Sequence, residues 1–134
     1  MKLEHIGIAV KDLDASNSLF AALFGKAHYK VEKVDSEGVS TSFFEAGGPK
    51  IELLSALNDD SPIAKFIEKR GEGIHHLAFE VPDLEAEISR MKGLGFQLVS
   101  DGPKDGADNK RIVFMHPKST NGVLIELCQE KIRP

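Results

Sequence analysis

His76-Leu-Ala-Phe-Glu-Val-Pro-Asp-Leu84 repeats an earlier stretch, His5-Ile-Gly-Ile-Ala-Val-Lys-Asp-Leu13, with His, Val, Asp and Leu at the same four places. Each of the four stands 71 residues after its counterpart. A second echo follows each copy: Lys50-Ile-Glu-Leu-Leu54 is answered by Leu124-Ile-Glu-Leu-Cys128, with Glu126 standing 74 residues after Glu52. The chain therefore reads as two copies of one module. Each copy opens with a His on a strand and closes with a Glu on a strand. Two His and two Glu at equivalent places predict a metal site between the halves.

Outward from these stretches, alternation and capping signals give the elements. In residues 3–10, Ile6, Ile8 and Val10 point one way and His5, Gly7 and Ala9 the other, because successive strand side chains face opposite sides. The apolar row predicts packing on a helix and leaves the His row on the opposite face, beside small residues. Asp12 caps that helix and Asp14 adds charge to its first turn. Leu19, Phe20, Leu23 and Phe24 predict its core-facing stripe, and Gly25 its end. Strands follow at 29–34, 39–45 and 50–54, separated by Ser36-Glu37-Gly38 and Gly47-Gly48-Pro49. The first module, residues 1–57, is thus β-α-β-β-β.

Ser61-Pro62 opens a connector helix over 61–71, with Ser as cap, Pro at the first helical position and Ile63, Phe66 and Ile67 as its stripe. The second module, residues 73–130, repeats the order. It has a strand at 74–81 and a helix capped by Asp83 that carries Leu84, Ile88, Met91 and Leu94 and ends at Gly95. A strand at 96–100, a polar loop at 101–110 and strands at 111–115 and 123–128 complete it. The expected fold class is α+β, with residues 1–134 as one domain. Its two tandem β-α-β-β-β modules form a curved mixed sheet around the metal site.

Bulk properties narrow the function classes. A chain of 134 residues with 41% hydrophobic and 28% charged residues reads as a soluble globular domain. Each half alone is small for an independent core, so the two are expected to fold as one unit. A net charge of −4 gives no sign of a nucleic-acid or membrane surface. Cys128 is the single cysteine, which excludes an internal disulfide. No apolar run approaches membrane-spanning length and no signal-like segment follows Met1, so the expected location is the cytoplasm.

Strand parity chooses among the histidines. Leu77, Phe79 and Val81 form the helix-facing row of the second module, which His75 shares, whereas His76 faces the other way as His5 does. Glu52 lies between Ile51 and Leu53, and Glu126 between Ile125 and Leu127. A charge in the middle of an apolar strand is costly unless it is paired or bound to a metal. A lone strand His is usually structural and a lone strand Glu usually solvated; the repeated set of four is what points to His5, Glu52, His76 and Glu126 as ligands. Two imidazoles and two carboxylates suit Co²⁺, Mn²⁺, Ni²⁺ or Zn²⁺. Four protein ligands in an octahedron leave two positions for two oxygens of one substrate, where a Lewis acid stabilises a developing enolate. His28 and His116 have no echo; His28 reads as surface and His116 as a residue at the site mouth. Cys128 reads as a packed thiol.

These residues resemble a known family. Paired β-α-β-β-β modules with His and Glu on facing strands are similar to the vicinal-oxygen-chelate superfamily, which includes glyoxalase I. Four motifs resemble the methylmalonyl-CoA epimerases more closely: Leu57-Asn-Asp-Asp-Ser-Pro-Ile-Ala-Lys-Phe66, Gly73-Ile-His-His-Leu77, Phe114-Met-His-Pro-Lys118 and Gly122-Val-Leu-Ile-Glu-Leu127. The resemblance covers nearly the whole chain. It implies interconversion of (R)- and (S)-methylmalonyl-CoA through a metal-stabilised enolate, with cobalt or a similar divalent ion, usually in a homodimer. On this reading Glu126 and Glu52 flank the substrate as bases. Some members carry another glutamate on the strand matching residues 39–45, where this chain has Ser40, Thr41 and Ser42, with Glu45 near the end. The CoA phosphates call for cations, and Lys104, Lys110, Arg111 and Lys118, with His116, are the substrate-binding candidates. The alternatives of the same fold are glyoxalase I (lactoylglutathione lyase) and a non-catalytic small-molecule-binding protein.

Overall fold

A computed structural model describes residues 1–132 of the chain. The elements, in order, are β1 (Lys2–Ala9), α1 (Leu13–Phe24), β2 (Lys30–Val34), β3 (Val39–Phe44), β4 (Lys50–Ala56), α2 (Pro62–Arg70), β5 (Gly73–Glu80), α3 (Leu84–Gly93), β6 (Lys104–Asp105), β7 (Lys110–Met115) and β8 (Ile125–Glu130). The chain divides into two compact units. One is His5–His75; the other joins Met1–Glu4 to the described residues from His76 onward. Among the described residues, no helix is long and apolar enough to cross a membrane.

In the first unit the strands run in the order β2-β3-β4-β1. β1 pairs in parallel with β4, and the rest of this order is antiparallel. The two helices lie on opposite faces of β4. Phe20, Ala21 and Phe24 of α1 pack with Ile8, Val10, Phe44, Ile51 and Leu53. Ile63, Phe66 and Ile67 of α2 pack with Ala9, Val39 and Leu54. The predicted alternation of β1 thus holds: its Ile8–Val10 row meets α1, and the row of His5, Gly7 and Ala9 lies on the other face. The connector helix is more than a linker, since it covers one end of the His5 face.

In the second unit the order is β5-β8-β7-β6, with β5 and β8 parallel and the other pairs antiparallel. Leu84, Ile88 and Met91 of α3 pack with Phe79, Val81, Val113, Met115, Ile125 and Leu127. Both helices that open after a repeated strand start and stop alike. The Asp12 carboxylate accepts from the Ala15 N–H, and that of Asp83 from the Ala86 N–H. Gly25 and Gly95, at φ 71° and 94°, take the left-handed conformation that closes a helix. At the second helix the Phe96 N–H reaches the Met91 carbonyl and the Gly95 N–H the Lys92 carbonyl, the paired bonds of a Schellman ending.

Three expectations need correction. Leu19 and Leu23 are not core residues; they are 66% and 69% exposed. The packed face of α1 is Leu13, Phe20, Ala21 and Phe24, with Asn17 buried among this spacing. An unbroken apolar run spans more of the helix circumference than one sheet face covers. Leu94, at 64% exposed, likewise falls beyond the end of α3. Second, residues 96–100 form no strand beyond an isolated bridge from Leu98 to Met115, although the Val99 N–H bonds the Phe114 carbonyl. Asp101-Gly102-Pro103 ends the pairing there, since Pro has no N–H to donate. The loop expected at 101–110 contains β6, and Asp108 and Asn109, both at positive φ, turn the chain into β7. Third, the last strand starts at Ile125, because Asn121 and Gly122 at positive φ hold the preceding residues in a turn.

Candidate active site

Each unit holds one His beside one Glu. In the first, His5 Nδ1 lies 3.1 Å from Glu52 Oε2. In the second, His76 Nε2 lies 3.4 Å from Glu126 Oε1. All four residues are buried. Strand register explains the pairs. On the parallel β1–β4 ladder Glu52 stands beside Gly7, two residues after His5. On the parallel β5–β8 ladder Glu126 stands beside Ala78, two residues after His76. Two residues along a strand is the same face, so His and Glu share a face, and the residue between them is small enough to let them meet. Across the antiparallel partner, Glu52 faces Phe43 and Glu126 faces Phe114. The His76 ring meets the Phe114 ring edge-on at 5.6 Å.

The donor set fits a divalent ion. Each half offers an imidazole nitrogen and a carboxylate oxygen, both buried and converging within hydrogen-bond distance. Burying a carboxylate inside apolar strands is costly unless a positive partner offsets it. His75 takes no part in either pair. Its ring packs edge-on against Phe66 of α2 at 4.9 Å, and burial lowers its pKa from 6.5 to about 4. The parity reading of His76 against His75 therefore separates a carboxylate-facing ring from a helix-facing ring.

The remaining candidates are distributed by the same parity. Lys104 and Lys110 share the face of Glu126, through the partners Ile112 and Glu130. Lys104 is exposed, with its ammonium 5.9 Å from the Phe114 ring centre. Lys110 is buried and lies 3.4 Å from Glu130 and 3.8 Å from Asp108. Arg111 lies on the α3 face and binds Glu85; that hydrogen bond holds the Glu85 carboxyl below, and the guanidinium above, their usual ranges. Arg111 thus stands apart from the cations it was grouped with. The His116 Nδ1 accepts from the Lys118 N–H at 3.1 Å and caps the 3-10 turn Pro117–Ser119, which leaves Lys118 exposed. His28 is half-buried, with its ring against Phe44. The Cys128 thiol is buried, donates to the Phe79 carbonyl, and is pushed far up in pKa by burial and then by Glu126, which makes it an inert packed thiol.

The strand that carries a further glutamate in some look-alikes divides in two. Ser40 and Ser42 pair with Ser55 and Leu53, on the α1 face. Thr41 pairs with Leu54 and is the one residue of the three on the His5 face. Glu45 follows the strand, is exposed, and lies 3.4 Å from Lys26.

Sequence reasoning missed Lys50 and Phe43. Lys50 precedes Glu52 by two residues and so shares its face. Its ammonium lies 4.0 Å from Glu52 Oε2 and 5.6 Å from the Phe43 ring centre. The signal was present in the repeat itself, since the second copy has Leu124 where the first has Lys50.

Comparison with known proteins agrees with this architecture. Residues 4–114 match the family described as Glyoxalase/Bleomycin resistance protein/Dioxygenase superfamily. An ethylmalonyl-CoA/methylmalonyl-CoA epimerase of Cereibacter sphaeroides is 40% identical over 130 residues, which are 96% of this chain and 97% of that protein. The crystal structure of methylmalonyl-CoA epimerase from Mycobacterium tuberculosis is similar at a TM-score of 0.92 and 38% identity, over 98% of this chain and 89% of that one. A point variant of the Streptomyces coelicolor methylmalonyl-CoA epimerase, in complex with 2-nitronate-propionyl-CoA, is similar at a TM-score of 0.91 and 33% identity, over 98% and 99%.

Proposed function

The chain belongs to the Glyoxalase/Bleomycin resistance protein/Dioxygenase superfamily, and from that membership we propose that it interconverts the (R) and (S) forms of methylmalonyl-CoA with the help of one divalent ion. It is an enzyme of the epimerase kind, as its relatives' names indicate. The observation that carries the metal reading is the duplicated buried pair, His5 with Glu52 and His76 with Glu126. His5, Glu52, His76 and Glu126 together would hold the ion; their nitrogen and oxygen donors suit Co²⁺, Mn²⁺, Ni²⁺ or Zn²⁺ alike, and the resemblance to the epimerases is what favours Co²⁺.

A bound divalent ion supplies Lewis acidity to the thioester oxygen of the substrate. The chain's own part is to move a proton. A carboxylate takes the C2 proton, the C–H electron pair passes into the C1–C2 bond, and the thioester oxygen takes up the negative charge. Delivery of a proton to the opposite face of C2 then inverts the centre. Glu126 and Glu52, one from each module, are the residues assigned to the two faces. Lys104 and Lys118, both exposed, are the residues assigned to the CoA phosphates, with Lys110 and His116 assigned to the same end of the substrate. Arg111 is tied to Glu85. A homodimer in the cytoplasm completes the proposal.

The test is turnover. Metal-loaded protein should epimerise methylmalonyl-CoA and leave the glutathione hemithioacetal of methylglyoxal unchanged. The reverse preference would make it a glyoxalase I. Failure with both substrates, together with no bound metal, would make it a binding protein.

A further inference from the structure

We propose that the first unit binds one internal water molecule beneath α1, held by Asn17 and Ser42, at a place that the second unit fills with apolar side chains. Both residues are buried, Asn17 at 8% exposed and Ser42 at 0%. Neither Asn17 Oδ1 nor Ser42 Oγ has a hydrogen-bond partner among the described residues, so the two do not bond each other. Both belong to the layer between α1 and the sheet. Asn17 lies about one turn from Leu13, Phe20 and Ala21, which pack on that face, and Ser42 pairs with Leu53 of the same cluster. A buried hydroxyl and a buried amide oxygen left unsatisfied are costly, because each lost its bonds to solvent on folding.

The repeat shows what is special about this place. Leu13 and Leu84 open the two helices, and Asn17 and Ile88 each follow four residues later. Phe43 and Phe114 face the two glutamates across the ladder, and Ser42 and Val113 immediately precede them. In the second unit Ile88, Val113 and Leu127 pack in one apolar cluster. Their counterparts Asn17, Ser42 and Leu53 are therefore neighbours under α1, with a polar pair in place of Ile and Val. Ser is smaller than Val, and the flat amide of Asn fills less space than the branched chain of Ile, so the exchange leaves room of the order of one water, about 30 Å³. The chemistry matches too. Water can donate to Asn17 Oδ1 while it accepts from the Ser42 hydroxyl, which satisfies both atoms. Ser40 and Ser55, buried strand partners one step along the same face, make that end of the layer polar.

The experiment uses the full chain as wild type, Asn17→Ile, Ser42→Val and the double variant, which gives the first unit the residues of the second. ¹⁷O relaxation dispersion of the solvent counts long-lived internal waters and, unlike proton signals, is blind to exchange of the serine hydroxyl. We expect the double variant to lose about one such water per chain. Urea unfolding gives a second readout. Each single variant leaves the other polar atom short of its partner and should raise the unfolding constant about 10-fold, whereas the double variant removes both and should lie within about threefold of the wild type. Asn17→Leu and Ser42→Ala stand in where a variant does not fold. An equal ¹⁷O signal from wild type and double variant overturns the proposal; with a non-additive cycle, it would mean that Asn17 and Ser42 bond directly. Additive effects of the two substitutions overturn it as well. Neither residue is assigned to the ion or the substrate, so the outcome is independent of the epimerase reading.

Discussion

In the proposed mechanism Glu126 and Glu52 each do two things, hold an ion and move a proton, and alanine variants would remove both at once. Glu126→Asp separates them. It keeps the charge and shortens the reach by one methylene, which metal binding tolerates better than proton transfer, where a misplacement of about 1 Å costs on the order of 100-fold. We expect near-stoichiometric metal, a kcat lower by about that factor and little change in KM. Loss of metal in step with kcat would show that ligation alone is affected. The neighbouring histidines give a second contrast. His76→Ala should lose metal, while His75→Ala should keep it, because His75 packs on Phe66.

His75 also predicts a pH effect on stability. Its pKa falls from 6.5 to about 4 on burial, so the folded state binds fewer protons than the unfolded state between these values. Its contribution is complete above pH 6.5 and is lost as the pH falls through about 4, a change of about 3 kcal/mol at 1.36 kcal/mol per unit. Urea unfolding at pH 7 and at pH 4.5 should show a much smaller loss for His75→Leu than for the wild type. Identical losses would mean that His75 is not the group responsible.

At the scale of elements, the helices show which sequence signals are decisive. Ser61 caps α2 by accepting from the Ile63 and Ala64 N–H groups, so Ser61→Ala should cost about 1 kcal/mol of stability. The stripe of α1 gives a sharper contrast. Leu19→Ala and Leu23→Ala should each change stability by no more than about 0.5 kcal/mol, whereas Phe20→Ala, which empties the cluster around Phe44 and Leu53, should cost about 3 kcal/mol. Equal costs would contradict the observed packing face. Caps and alternation were readable because Asp12, Asp83 and the His rows act through local geometry. The packing face of α1 was not, since four consecutive-turn apolar residues leave open which of them meets the sheet. β6 was hidden for a different reason. A two-residue strand in a polar loop is specified by its partner Arg111–Ile112 rather than by its own side chains. Lys50 was legible in principle, but only by asking where the two copies differ rather than where they agree.

At the scale of the whole chain, the proposed function has His5, Glu52, His76 and Glu126 serve one ion. The repeat placed a His–Glu pair in each unit, and register on two parallel ladders accounts for both pairs in the same way. The most direct measurement is deuterium uptake at C2 of methylmalonyl-CoA in D₂O, followed while metal-stripped protein is titrated with Co²⁺. One ion held by the four residues predicts no uptake without metal and a linear rise that breaks at one equivalent per chain. A break at two equivalents, or uptake that does not depend on the ion, would contradict it.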